Sequence, residues 1–64
     1  MFREYGLSER EAEVARLIVM EGLSNQKIAE RIFRSKFTVE KNVTGIYRKF
    51  GVPDRAAFVA KVLR

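Results

Sequence analysis

The sequence predicts an all-α fold of four helices, and three observations carry that expectation. Apolar residues recur at helical spacing along most of the chain. Each such stretch follows a residue suited to cap a helix N-terminus: Ser8, Ser24, Ser35 and Asp54. Stop signals separate them, with Gly22 after the first and Gly51-Val52-Pro53 after the third. The expected helices cover about residues 8–21, 24–32, 36–50 and 55–63.

The first helix opens on a capping box. The Ser8 hydroxyl can accept from the backbone N–H of Glu11, whose carboxylate can reach back to Ser8. Glu9, Glu11 and Glu13 crowd its first turns, where the helix dipole favours negative charge. Val14, Leu17 and Ile18 form the buried stripe, and Gly22 stands where a left-handed stop is wanted.

The second helix begins at Ser24 and buries Ile28, Ala29 and Ile32. At roughly two turns it depends on packing to persist. Only Phe33 and Arg34 separate it from the cap of the third helix, so the two helices meet at a steep angle through a tight turn.

In the third helix, Val39, Val43, Ile46 and Phe50 fall on one face at about 100° per residue. The opposite face carries Phe37, Lys41, Thr44, Gly45 and Arg48, with Glu40 on its flank. A mid-helix glycine costs up to about 1 kcal/mol relative to alanine. Gly45 therefore either admits close approach of another surface or marks a tolerant position. The fourth helix starts after Asp54 and carries Ala57, Phe58, Val59, Val62 and Leu63. That apolar sector is wider than one packed face needs, so it either completes the core or offers a contact to a second copy.

With 64 residues the chain is expected to form one domain, 1–64. A domain of that size buries only about 60% of its unfolded surface, which leaves little room for a large substrate cleft or a deep cofactor cavity. The sequence has no His and no Cys, so the commonest general base, the commonest metal ligand and every thiol nucleophile are absent. The expectation is a protein that is not an enzyme and uses no cofactor or metal. No apolar run reaches the roughly 18 residues of a membrane span, and no signal-peptide core follows the N-terminus. A reducing cytoplasm suits a small fold without disulfides.

Thirteen Lys and Arg against eight Asp and Glu leave a net charge of +5. The charge is polarised along the chain. Residues 1–22 set Arg3, Arg10 and Arg16 against Glu4, Glu9, Glu11, Glu13 and Glu21, a balance of −2. Residues 23–64 set ten cations against Glu30, Glu40 and Asp54, a balance of +7. The cationic part contains the short helix, the tight turn and the third helix. That pattern suits a surface meeting phosphates while the first helix scaffolds from behind. In a helix-turn-helix the second helix of the pair enters the major groove, and its early exposed positions meet base edges.

Several motifs in order strengthen this reading: Leu7-Ser8-Glu9-Arg10-Glu11, Gly22-Leu23-Ser24-Asn25 with Lys27-Ile28-Ala29, and Ser35 with Thr38-Val39. Arg48-Lys49-Phe50-Gly51-Val52 and Arg55-Ala56 follow. Together they resemble the LuxR/NarL-type (GerE-like) helix-turn-helix of bacterial transcription regulators, over about residues 5–62. The resemblance implies double-stranded DNA as partner, the third helix as recognition helix and a weak homodimer through the fourth, with RNA polymerase a further candidate partner. By position it implies base or groove contacts at Glu40, Lys41 and Thr44, and phosphate contacts at Ser24, Asn25, Thr38, Arg48 and Lys49. Phe58, Val59 and Val62 become the dimer contacts.

Three residues depart from the family pattern. Glu40 stands where Lys or Arg is usual; a carboxylate repels phosphate but can accept from cytosine N4. Asn42 replaces a frequent His and keeps hydrogen-bonding capacity. Lys27 replaces a frequent Glu, which puts an ion pair typical of the family in question and makes a Lys27–Glu40 pair a candidate replacement. Two other readings compete. A sigma-factor promoter-recognition domain shares the Arg-Glu opening and the Ile-Ala-Glu of the second helix, but does not need the Gly51 stop and a fourth capped helix. A protein-interaction module that has lost DNA affinity is favoured by Glu40 alone.

Overall fold

The computed structural model describes residues 2–64, with side chains from Glu4 onward. Met1 and the side chain of Arg3, counted in the charge balance above, lie outside the described residues. After a turn of 3-10 helix at Phe2–Tyr5 come four α-helices: α1 (Glu9–Glu21), α2 (Asn25–Ile32), α3 (Lys36–Phe50) and α4 (Arg55–Leu63). No strand occurs among the described residues. The all-α, four-helix expectation holds; the 3-10 turn is an element the apolar spacing did not announce.

The expected caps form. In α1 the Ser8 hydroxyl accepts from Glu11 N at 3.1 Å and Glu11 Oε1 accepts from Ser8 N at 3.0 Å. Ser24, Ser35 and Asp54 accept from the backbone N–H three residues on, at Lys27, Thr38 and Ala57. Each satisfies a donor that the helix itself leaves unpaired. α3 ends in a Schellman motif: Gly51 lies at φ 69°, with Gly51 N donating to Arg48 O and Val52 N to Tyr47 O. α2 ends in the same kind of turn, Arg34 N donating to Ala29 O at 3.0 Å, but Phe33 holds the left-handed position at φ 59° that glycine normally takes.

One core joins the helices. Val14, Ala15, Leu17 and Ile18 from α1, Ile28, Ala29 and Ile32 from α2, and Val39, Val43, Ile46 and Phe50 from α3 are all buried. α4 adds Phe58, which has 0% exposure and packs edge-on to Phe50, ring centroids 4.9 Å apart. Tyr5 stacks on the Phe50 ring at 3.8 Å. Lys61 of α4 donates to Phe50 O at 2.7 Å, placing a cation at the negative end of α3.

Phe58 corrects one expectation. A side chain with no exposed surface has none to offer a second copy, so Phe58 is core rather than dimer contact. Val59 and Val62 are half-buried against the same core, and Leu63 is 68% exposed. The wide apolar sector of α4 therefore divides into a buried part and an exposed edge.

Candidate nucleic-acid interface

The capped start of α3 fixes the direction of its first turn, and burial of Val39, Val43, Ile46 and Phe50 fixes its rotation. Phe37, Glu40, Lys41, Thr44, Gly45 and Arg48 then line one open depression of about 450 Å3. The structure thus brings together all three residues expected to face the groove. Phe37 is 66% exposed. The Lys41 ammonium lies 5.4 Å from the centroid of its ring, within cation–π range. Lys41 and Arg48 form no ion pair among the described residues, so both charges remain available to an anion.

Glu40 is paired within its own helix: its Oε2 lies 4.0 Å from Lys36 Nζ, with both side chains about half exposed. Lys27 instead lies 3.8 Å from Glu30. The Lys27–Glu40 pair is therefore replaced by two local pairs, because side chains three or four residues apart on one helix are already neighbours.

A second depression holds other expected contacts. Ser24, Asn25 and Gln26 at the start of α2 share it with Lys36, Tyr47 and Arg55. The α2 dipole, Lys36 and Arg55 contribute the sign that attracts phosphate, opposed by the Asp54 carboxylate in the same lining. Burial raises the Tyr47 phenol above its ordinary pKa of 10.0, assisted by the Asp54 charge and opposed by Arg55. Tyr47 and Arg55 were not among the expected contacts. No local spacing signals them: α4 has to fold back before Arg55 stands beside the start of α2.

Thr38 is half-buried, and its hydroxyl lies 3.0 Å from Ser35 Oγ within the cap. Lys49 is the clear displacement from expectation. Its ammonium donates to Glu11 Oε1 at 2.6 Å and to Gly6 O at 3.0 Å, so it faces α1 rather than joining Arg48. Glu11 is only 13% exposed there. That partial burial works against its charge, but hydrogen bonds from Lys49 and Ser8 and the Lys49 charge outweigh it, lowering its pKa below the ordinary 4.5.

Gly45 explains how the carboxylate fits. A Cβ at that position would stand 2.8 Å from Glu11 Oε2. Of the two readings of this glycine, close approach of another surface is the one the structure supports, and the surface is α1. Asn42 keeps its amide, but its buried Nδ2 finds no hydrogen-bond partner among the described residues.

A short capped helix, a tight turn and a longer helix presenting a cation-bearing face define a helix-turn-helix domain. The chain belongs to the luxR family of bacterial regulatory proteins, whose model matches residues 5–62. That span takes in α4 as far as Val62, the element that distinguishes it from the sigma-factor reading.

Over 58 residues the chain is 45% identical to a protein named as an HTH-type transcriptional regulator in Mycobacterium tuberculosis (strain ATCC 25618 / H37Rv). The match covers 91% of this chain and 6% of that protein. A similarly named Mycobacterium bovis protein is 43% identical over the same length, with the same shares. A protein named as the transcriptional regulatory protein NarL in M. tuberculosis is also 43% identical, covering 91% of this chain and 26% of its own length. The chain therefore corresponds to a small part of these relatives. No solved structure matches it significantly.

Proposed function

We propose that this domain binds double-stranded DNA sequence-specifically, with α3 in the major groove, as the DNA-binding unit of a bacterial transcription regulator. The observation that carries the reading is the shared depression on α3, where Lys41 and Arg48 flank Phe37, Glu40 and Thr44. Glu40, Lys41 and Thr44 meet base edges. Ser24, Asn25, Thr38 and Arg48 hold the backbone, joined by Lys36 and Arg55. The domain performs no chemistry; positioning and readout are its function. It acts in the bacterial cytoplasm, where contact with RNA polymerase belongs to the same reading. No helix among the described residues is long and apolar enough to cross a membrane.

The exposed edge of α4 supports a weak symmetric dimer through Val59, Val62 and Leu63. Two half-sites would then lie about one helical turn apart. Sedimentation with and without DNA tests this; a single copy on every duplex rules the dimer out.

Selection of bound sequences from a random duplex pool tests the main reading and gives site and spacing together. Lys41→Ala and Thr44→Ala are expected to change the preferred sequence. Arg48→Ala is expected to weaken all sequences alike and reduce the log–log salt slope by about one. Complete absence of binding at low salt would favour the protein-interaction module.

A further inference from the structure

We infer that Phe37 reads a thymine, its ring meeting the C5 methyl group in the major groove. This rests on the DNA-binding reading above and assigns a base type to one position of that surface. Phe37 is the second residue of α3, in the turn that leads a recognition helix into the groove. Its ring is 66% exposed, while the core beneath α3 is already filled by Val39, Val43 and Ile46. It lines the same depression as Glu40, Lys41 and Thr44.

The chemistry selects the base. A phenyl ring offers no conventional donor or acceptor, and the apolar feature that bases present in the major groove is the thymine methyl. The other polar edges would lose solvation against the ring without gaining a hydrogen bond. Lys36 draws the Glu40 carboxylate to 4.0 Å, and the Lys41 ammonium covers one face of the Phe37 ring at 5.4 Å, while the side chain as a whole stays 66% exposed. The Lys41 charge beside the ring also attracts phosphate, drawing this turn toward the duplex.

Helix geometry predicts the register. Three residues of helix rise about 4.5 Å, against a base step of about 3.4 Å. The thymine therefore lies within about two base pairs of the position read by Glu40 or Lys41.

The test begins with the duplex that the wild-type domain selects. Each thymine is replaced in turn by deoxyuridine, which removes only the methyl group. One thymine is expected to lose about fourfold in affinity on replacement, the value of roughly one buried carbon. It should lie within about two base pairs of the position whose preference changes in Lys41→Ala. Phe37→Ala, verified as folded by circular dichroism, is expected to bind thymine and deoxyuridine duplexes equally, whereas Phe37→Leu retains part of the difference. A flat deoxyuridine scan with wild-type protein overturns the inference and leaves DNA binding standing. Retention of the full discrimination by Phe37→Ala also overturns it. If the wild-type domain binds no duplex at low salt, the DNA-binding reading itself fails.

Discussion

Lys49 of α3 and Glu11 of α1 meet at 2.6 Å, and the same carboxylate closes the capping box of α1. One side chain thereby joins the N-terminal end of α1 to the C-terminal part of α3. Lys49 is expected to hold the scaffold behind the recognition face, while its chain neighbour Arg48 contacts phosphate. Lys49→Met should lower stability by about 1 kcal/mol, discounted for the exposure of the lysine. Thermal melting reads that loss, and salt titration of DNA binding should show an unchanged slope. A slope reduced as much as in Arg48→Ala would return Lys49 to the phosphate contacts.

Gly45→Ala tests the close approach of the two helices. Alanine is worth about 1 kcal/mol over glycine inside a helix. Here its Cβ would press on Glu11 Oε2, whose companion oxygen is held by Lys49 and Ser8. The substitution should therefore be near neutral in the wild type and stabilising by about 1 kcal/mol in a Glu11→Ala background. Equal effects in both backgrounds would mean that the carboxylate does not constrain position 45.

The lowered pKa of Glu11 makes a signed prediction about acid. A carboxylate whose folded pKa lies below its unfolded value contributes stability above the unfolded pKa and loses it as pH falls through the folded one. The contribution from Glu11 should be present above its ordinary value of 4.5 and be lost as pH falls from there through the lower folded value. Melting temperatures from neutral to acid pH should fall less steeply in Glu11→Gln than in the wild type across that window. Parallel curves would show that other carboxylates govern the acid limb.

Phe33 ends α2 at φ 59° with its side chain 88% exposed. A non-glycine residue pays about 1–2 kcal/mol in this left-handed region. With little packing to lose, Phe33→Gly should stabilise the domain by about 1 kcal/mol, raising the melting temperature by about 4–8 °C. A lower melting temperature would reveal a packing role for the ring.

Phe58 and Leu63 separate core from edge on the same helix. Phe58→Ala should cost about 3–5 kcal/mol, enough to unfold much of a small domain at room temperature. Leu63→Lys should leave the melting temperature within about 0.5 kcal/mol equivalent of wild type and weaken only self-association. Denaturation and sedimentation together check both.

The sequence by itself determined the helices, their caps and the buried stripes, because these depend on residues three or four apart. Ser8, Ser24, Ser35 and Asp54 act on the backbone three residues ahead, and the apolar stripe of α3 sets which side chains can face outward. Lys41, Thr44 and Arg48 were legible as a surface for that reason, while Glu40, on its flank, rested mostly on the family resemblance. Only the tertiary structure separated Arg48 from Lys49, adjacent cations to which the family resemblance gave the same phosphate role. The partner that claims Lys49 is Glu11, 38 residues away on another helix, and the same carboxylate crowds a side chain at position 45. Tertiary packing likewise moved Phe58 from an expected interface into the core and brought Arg55 beside Ser24 and Asn25. Local spacing sets the direction in which a side chain leaves its helix; what it meets there depends on how the helices pack.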